Sequence, residues 1–297
     1  MTLAVAEAAQ TVPQLAELVA LLAEGGVVVL GGAGVSTDSG IPAYRDEEGR
    51  WTQSPPMQFR DFTSSVLARQ RYWARSMVGW QRMAKAQPNR AHHALAELER
   101  RDALRLLITQ NVDGLHSAAG SRKVVDLHGR LDRVICLGCK KLSSREELQA
   151  RLVADNPEFL GQSYVARADG DVELTAEYDR FVLSACTACG GVLKPDVVFF
   201  GENVPAPRVQ QAMASLETAR ALLIVGSSLM VFSGFRFARA AARLGLPIAI
   251  LNRGKTRADE LATLRLGGDV GELLEAALRA NPHEDDPQRN ATSISPL

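Results

Sequence analysis

The sequence predicts an α/β protein built on a doubly wound parallel sheet. Short runs of purely apolar, often β-branched residues recur along the chain, which is typical of strands buried on both faces. Segments with apolar residues at helical spacing separate these runs. Each run ends in a polar or glycine-rich tip, as the strands of this fold class do where they bind ligands.

The predicted elements follow in order along the chain. Residues 13–24 carry leucine and valine at helical spacing, and Pro13 suits a first helical turn. Gly25 and Gly26 end this helix. Strands are predicted at 27–30 (VVVL), 104–109 (LRLLIT), 221–225 (ALLIV) and 247–251 (PIAIL), with a short strand at 123–126 and a helix at 235–244.

The tips GGAG, QNVDG, GSS and NRG follow the four main strands. In open α/β sheets, ligands bind beyond the carboxyl ends of the strands. We therefore expect these tips, although distant in sequence, to surround one site.

The first tip departs from the usual dinucleotide-binding fingerprint. It reads GAGVST over residues 32–37, so a threonine stands where the fingerprint has its third glycine. The acidic residue expected about 20 positions further on is also missing. These departures argue against a hydride-transferring dehydrogenase and leave a plain glycine turn as the alternative to a nucleotide loop.

Length and composition set broad limits. A chain of 297 residues is long enough for about two domains. Its 34 basic and 34 acidic residues give a formal net charge of +0, so there is no electrostatic footprint for nucleic acid or an anionic membrane. The N-terminus resembles neither a secretory signal nor a transit peptide. We expect a cytoplasmic monomer with reduced cysteines and no membrane partner.

Two segments interrupt the alternation of strands and helices. Residues 47–87 are helical and aromatic, and residues 131–193 contain all four cysteines and an acidic middle. We expect these two insertions to form a small second domain together. The large domain would then comprise residues 1–46, 88–130 and 194–280, and the polar tail 281–297 is predicted to be disordered.

The cysteines form two knuckles, Cys136-Leu-Gly-Cys139 and Cys186-Thr-Ala-Cys189. Each knuckle can present two thiolates to one metal ion, so together they complete a tetrahedral zinc site. Four thiolates leave no open position for water or substrate, and the zinc is therefore expected to be structural. The 46 residues between the knuckles exceed the usual ribbon spacing, and two redox disulfides are the alternative.

Taken in order, these motifs resemble those of the sirtuins, the NAD-dependent protein lysine deacylases with a Rossmann-like domain. The resemblance rests on GAGVSTDSGIPAYR, QNVDGLH, LHG, the two CxxC pairs, KPDVVFFGE, GSSLMV and ILNRG, and covers roughly residues 14–278. The segments RQRYWAR, PDVVFFGE, SLMVFSGFRF and PIAILNRG are most similar to the class II group. The resemblance implies NAD as a co-substrate, one structural zinc ion and acyl-lysine proteins or peptides as partners.

The resemblance also assigns residues to the NAD site. Ser36 and Thr37 are expected to hydrogen-bond the pyrophosphate, Gln110 the ribose, and Asn111 with Asp113 the nicotinamide. The complete expected set is Gly32, Ala33, Gly34, Ser36, Thr37, Tyr44, Arg45, Gln110, Asn111, Asp113, Gly226, Ser227, Ser228, Asn252, Arg253, Gly254 and Val270. Asn111 and Asp113 are also expected to act in catalysis.

Histidine suits a reaction that needs a proton acceptor near neutral pH. His128, in the motif LHG, matches the general base of the family. The resemblance implies that the acyl oxygen attacks a ribose carbon as nicotinamide leaves, and that His128 then activates a ribose hydroxyl. Hydrolysis then yields free lysine and an O-acyl-ADP-ribose. We expect His116 to be a turn residue and His92 and His93 to be packing or surface residues, while His283 lies in the tail.

Residues 197–202 (VVFFGE) resemble the segment that lines the acyl-lysine tunnel and pairs with the substrate as an added strand. Val197, Val198, Phe199 and Gly201 are the residues expected to bind substrate there, with Gly234 on the opposite edge. The alternative is a buried strand.

Tyr72 and Arg75 are expected to share a helix face because they lie three residues apart. They resemble the YxxR pair of desuccinylating sirtuins, which implies bidentate binding of a terminal carboxylate on the acyl group. Simple acetyl and longer chains remain open. The alternative is an aromatic helix packed on the small domain with Arg75 in solvent.

Three further activities stay open. Mono-ADP-ribosyl transfer and lipoyl removal would use the same residues. A non-enzymatic NAD-sensing zinc module belongs to another class, and the set of His128, Asn111 and Asp113 argues against it because a sensor needs no base.

Overall fold

The computed structural model describes residues 2–52, 56–161, 165–166, 172–173 and 177–280. The predicted disordered tail lies outside these residues. The strands are β1 (Val27–Gly31), β2 (Leu104–Thr109), β3 (Val124–Asp126), β4 (Gly129–Cys136), β5 (Leu142–Ser144), β6 (Val165–Ala166), β7 (Val172–Glu173), β8 (Leu193–Val197), β9 (Ala221–Val225), β10 (Ile248–Leu251) and β11 (Leu264–Leu266). The α-helices are α1 (Thr2–Ala23), α2 (Phe59–Ser64), α3 (Val66–Lys85), α4 (Arg90–Arg100), α5 (Leu115–Ala118), α6 (Arg145–Asp155), α7 (Ala206–Glu217), α8 (Phe232–Arg243) and α9 (Val270–Ala280).

Six strands form one parallel sheet in the order β11-β10-β9-β1-β2-β3. Strands β2 and β3 follow on one side of β1, whereas β10 and β11 follow on the opposite side, beyond β9. The strand order therefore reverses between β1 and β9, and such a reversal opens a crevice beyond the carboxyl ends of the strands. This confirms the predicted Rossmann-like, doubly wound sheet.

Both faces of the sheet are covered by helices. Val27 and Val29 of β1 point into a core with α1, α4 and α9, whereas Val28 and Leu30 point into a core with α7 and α8. This alternation is the period-two geometry of a strand. All four side chains are fully buried, and each such burial stabilises the fold by about 1.5–3 kcal/mol.

A second, antiparallel sheet has the order β5-β4-β8 and lies beside a third core. Trp73 and Met77 of α3 share this core with Val134 of β4 and Leu148 of α6. Residues from both predicted insertions therefore pack together. The boundaries of the two domains stay a prediction.

Two helices begin earlier than predicted. Helix α1 starts at Thr2 and contains Pro13, because the alanine-rich segment before the proline has high helix propensity. Helix α8 starts at Phe232, so Ser233 and Gly234 lie in its first turn. Serine and glycine give no apolar period, which hid this turn from the sequence pattern.

Within the described residues, no helix is both long and apolar enough to span a membrane.

Candidate active site

A cavity of about 1040 Å³ lies beyond the carboxyl ends of the parallel strands. All four strand tips contribute to its wall. The expected NAD-site residues that line it are Gly32, Ala33, Gly34, Thr37, Tyr44, Arg45, Gln110, Asn111, Gly226, Ser227, Ser228, Asn252, Arg253, Gly254 and Val270. His128 and six expected substrate residues also line it: Tyr72, Arg75, Val197, Val198, Phe199 and Gly201. Ser36, Asp113 and Gly234 are not among the lining residues.

The floor of the cavity is formed where two glycine tips touch. The amide of Gly34 donates to the carbonyl of Gly226 over 2.8 Å. A Cβ added to Gly34 would lie 2.9 Å from the Cα of Gly226, and one on Gly226, at φ +59°, would lie 2.6 Å from the amide nitrogen of Val35. No side chain fits at either position, so bare backbone faces the cavity and a phosphate group can approach it closely.

Behind this floor lies a buried polar network centred on Ser36. Its hydroxyl donates to Asp113 Oδ2 over 2.7 Å and accepts from Asn111 Nδ2 over 2.9 Å. Asn111 Nδ2 also donates to the carbonyl of Gly32. Ser36 is only 1% exposed, so its hydroxyl faces inward and does not face the cavity as the sequence suggested for a pyrophosphate ligand. The network fixes the amide of Asn111 and the carboxylate of Asp113 relative to each other.

His92 extends the network into α4. Its Nδ1 accepts from the amide of Asn89 in a capping box, so Nε2 carries the proton and donates to Ser36 Oγ over 3.4 Å. The ring of His116 lies 4.8 Å from that of His92, and neither of its ring nitrogens hydrogen-bonds within the described part of the chain. His92 is buried and His93 is exposed, which agrees with their expected packing or surface roles. His116 was expected in a turn, but it is buried within the short helix α5.

Folding should weaken in mild acid because the buried His92 and His116 and the half-buried His128 are all held in the neutral form. Burial lowers the pKa of His116 to about 3 and those of His92 and His128 to about 4, from an ordinary value of 6.5. The unfolded chain therefore binds more protons below pH 6.5, and the stability present above that pH is lost as the pH falls towards 3. Between pH 7 and 5 we expect denaturant titrations to show a loss of roughly 1–2 kcal/mol per histidine.

The matched variants for this prediction are His116→Phe and His93→Ala. The first removes a buried titrating ring and should flatten the pH dependence by about one third, since it removes one of three comparable contributions. The second alters an exposed histidine on the same helix as His92 and should leave the slope unchanged. Equal slopes for wild type and His116→Phe would contradict the prediction.

His128 follows β3 and is held from both sides of its ring. Nδ1 lies 2.9 Å from the carbonyl oxygen of Gln110, and Nε2 lies 2.8 Å from the hydroxyl of Ser233. Burial is the main cause of its lowered pKa, and the positive charges of Arg208 and Arg236 act in the same direction. At neutral pH the imidazole is therefore uncharged and can accept a proton at the cavity wall.

Lys194 anchors the predicted substrate segment. Lys194 is 3% exposed, and its ammonium group lies 3.1 Å from Glu202 Oε2 and donates to the carbonyl of Val197. The same Glu202 oxygen accepts from the amide of Phe199 over 3.0 Å. One ion pair, between the buried Lys194 and the half-buried Glu202, thus holds both ends of residues 197–202. The motif analysis assigned Lys194 no role. The side chains of Val197 and Phe199 belong to the third core as well as to the cavity wall.

Tyr72 and Arg75 both line the cavity from α3. The ring of Tyr72 packs edge-on against Phe62 and Phe199, with centroids 5.5 and 5.2 Å away. Arg75 is 8% exposed and donates from Nε to the carbonyl of Val172, so the alternative that places it in solvent is wrong. The burial follows from contacts between α3 and a remote segment, which helical spacing alone does not reveal.

Gly234 does not lie on an opposite strand edge. It is buried in the first turn of α8, where an added Cβ would collide with Oε1 of Gln110. The expectation for this residue is therefore corrected: it allows the side chain of Gln110 to pack against α8 and to donate to Ser227 Oγ over 2.8 Å.

At the outer rim, Arg45 stacks on Trp51, with its guanidinium carbon 3.9 Å from the ring centroid, and donates to the carbonyl of Gly49. Arg253 pairs with Asp269 over 2.7 Å, and Asn252 donates to the carbonyl of Gly254. Trp51 was missed by the sequence reasoning because an aromatic residue in an insertion carries no motif of its own.

The four cysteines form a compact cluster outside the cavity. Their sulfur atoms all lie within 4.8 Å of one another, with Cys136 3.5 Å from Cys189 and Cys139 3.8 Å from Cys186. Four thiolates around zinc at about 2.3 Å would be spaced by about 3.8 Å. The distances exceed the roughly 2.05 Å of a disulfide, and all four cysteines are free. The cluster fits one tetrahedral metal ion.

Fold and site together define a Rossmann-like protein with a ligand cavity at its topological switch point and an inserted four-cysteine module. Residues 32–233 match the model of the Sir2 family. The chain is 56% identical over 266 residues to an NAD-dependent protein deacetylase of Xanthomonas campestris pv. campestris (strain 8004), covering 89% of each chain. It is 51% identical over 261 residues to NAD-dependent protein deacetylase 1 of Streptomyces coelicolor, covering 88% of this chain and 87% of the relative.

The solved structure described as "Sir2-p53 peptide-NAD+" superposes with a TM-score of 0.72 at 30% identity, covering 89% of this chain and 97% of the other. The chain therefore belongs to the Sir2 family, the sirtuins. The fold and the cysteine cluster are those expected from the resemblance of its motifs.

Proposed function

We propose that this chain is an NAD-dependent protein lysine deacylase of the class II sirtuins, acting on acyl-lysine in proteins or peptides. The observation that carries the proposal is the meeting of His128, Asn111 and Gln110 at one glycine-floored cavity, in a chain whose relatives are named deacetylases. The segments RQRYWAR, SLMVFSGFRF and PIAILNRG support the class II assignment.

The residues of the cavity fit NAD. The bare backbone of Gly34 and Gly226 is suited to the pyrophosphate, the rim around Asn252 and Val270 to the adenosine, and the fixed amide of Asn111 to the nicotinamide. When bound, NAD supplies an electrophilic ribose carbon and nicotinamide as the leaving group. Asp113 lies behind the cavity floor, where it orients the hydroxyl of Ser36, and Ser36 in turn orients the amide of Asn111.

His128 is the general base of the proposed reaction. Because Nδ1 faces a carbonyl oxygen, it carries the proton, and Nε2 is the basic atom. This nitrogen lies at the cavity wall and takes the proton of a substrate hydroxyl, whose oxygen then attacks the acyl carbon. Addition of water to the same acyl carbon then releases the lysine amine and leaves the acyl group on the substrate oxygen as an ester.

The substrate peptide lies along residues 197–202 and its acyl group extends towards α3. The ion pair of Lys194 and Glu202 holds this segment, while Tyr72 and Arg75 line the cavity from α3. We propose that the guanidinium of Arg75 binds the terminal carboxylate of succinyl- or glutaryl-type acyl groups.

Changing Arg75 to methionine is expected to lower kcat/KM for succinyl- and glutaryl-lysine peptides by about 10- to 100-fold, because a charge-assisted hydrogen bond is lost. Acetyl peptides should change little. Arg71→Met is the matched control, since Arg71 is an exposed cation on the same helix and the same cavity wall. Equal losses for acetyl and succinyl peptides would assign Arg75 to packing alone.

The first experiment is a mass-spectrometric assay with peptides that carry acetyl, succinyl, glutaryl, methylglutaryl, lipoyl or myristoyl lysine, each with and without NAD. Nicotinamide and the matching O-acyl-ADP-ribose, formed only with NAD, are the expected products. If no peptide reacts although the protein binds NAD, deacylation is refuted, and ADP-ribosyl transfer to a protein acceptor becomes the activity to assay.

A further inference from the structure

The hydroxyl of Ser233 contacts the basic nitrogen of His128. It lies 2.8 Å from Nε2, in the first turn of α8, and both residues line the cavity. The neighbouring Gly234 brings α8 close enough to Gln110 for both partners of the imidazole to reach it. The ring is thus clamped between the carbonyl of Gln110 and the hydroxyl of Ser233.

The direction of each hydrogen bond follows from the partners. A carbonyl oxygen can only accept, so Nδ1 of His128 donates to Gln110. In the neutral imidazole Nε2 then has only a lone pair to offer, and the hydroxyl of Ser233 donates to it. A serine hydroxyl also has lone pairs of its own, which lets it reverse this role.

The reversal matters when Nε2 of His128 also becomes protonated and the ring is an imidazolium. The imidazolium donates from both nitrogens, and the charged groups that act on it, Arg208 of α7 and Arg236 of α8, are cations that disfavour it. Ser233 can rotate its hydroxyl and accept from Nε2–H. Without that partner the buried cation would lose a charge-assisted hydrogen bond, which is worth more than the neutral one.

We propose that Ser233 is a positioning residue for His128. It donates to Nε2 in the free protein, yields this lone pair to the substrate hydroxyl for the proton transfer, and accepts from Nε2–H afterwards, so that it orients the base and supports the imidazolium. The proposal rests on the proposed role of His128 as the general base.

Ser233→Ala is expected to lower kcat for deacylation by about tenfold, with the KM for NAD unchanged. Exchange of labelled nicotinamide into NAD should persist, since this exchange reports the step before the base acts. Ser233→Thr, which keeps the hydroxyl, should restore turnover, and Ser215→Ala, a half-buried serine of α7 outside the cavity, should behave as wild type.

A measurement that needs no activity separates this proposal from the proposed function. In protein with 15N-labelled histidine at pH 7.5, the Nε2 resonance of His128 should move in Ser233→Ala and return in Ser233→Thr, as expected when a hydrogen bond to the lone pair is removed and restored. An unmoved resonance overturns the proposal, whether or not the wild type is active. So does equal loss of exchange and deacylation with no rescue by threonine, which would indicate a structural role.

Discussion

Replacing His128 with alanine is expected to lower deacylase turnover by about 10²–10⁴-fold, the range that a positioned base contributes. The imidazole is held by hydrogen bonds at both nitrogens and kept uncharged by burial, so it is ready to accept a proton at neutral pH. Binding of NAD should remain measurable, because the glycine floor and the network around Asn111 do not depend on the imidazole. Calorimetry for NAD and product analysis for turnover test the two parts separately.

The control for this prediction is His93→Ala, which removes an exposed histidine of α4 and should turn over as wild type. Turnover within a few-fold of wild type in the His128 variant would remove His128 from the role of base. Loss of NAD affinity in parallel with turnover would instead indicate that the imidazole shapes the cavity. Melting temperatures of the variants show whether either change unfolds the chain.

The buried strands were predictable because they carry their signal locally. The strands at 104–109 and 221–225 have the predicted bounds, since an apolar run flanked by turn residues suits a strand covered on both faces. The convergence of the strand tips follows from the same reasoning, because the carboxyl ends of parallel strands meet at one edge. Motifs then gave the residue types expected at each tip.

What the sequence could not show depends on contacts between remote segments. Ser36 follows a glycine loop, yet Asn111, Asp113 and His92 turn its hydroxyl away from the cavity. Arg75 is buried because a segment about a hundred residues later covers it. Ser233 was overlooked for the same reason, since the hydrogen bond to His128 joins residues 105 positions apart. Local periodicity carries no information about such pairs.

Removing the metal we assign to the four cysteines is expected to unfold the small antiparallel sheet. We propose that the metal is zinc, and structural zinc contributes on the order of 10 kcal/mol to folding. The first knuckle begins at Cys136, the last residue of β4, and the second ends shortly before β8 begins at Leu193. The cluster therefore joins the two strands that pair most extensively in this sheet. After chelation, hydrogen exchange should become fast in β4, β5 and β8 and stay slow in the six-stranded sheet.

Turnover should also be lost when the small sheet unfolds, although a closed four-thiolate metal site cannot itself bind substrate. Strand β4 begins at Gly129, directly after His128, and β8 leads into residues 197–202, so loss of their pairing displaces both the base and the substrate segment. Cys139→Ser, at an exposed ligand position, should reproduce the effect of chelation, whereas Thr187→Ser within the second knuckle should not. Protein that contains no zinc, shows the mass of two disulfides and resists chelators would contradict the prediction and favour the redox alternative.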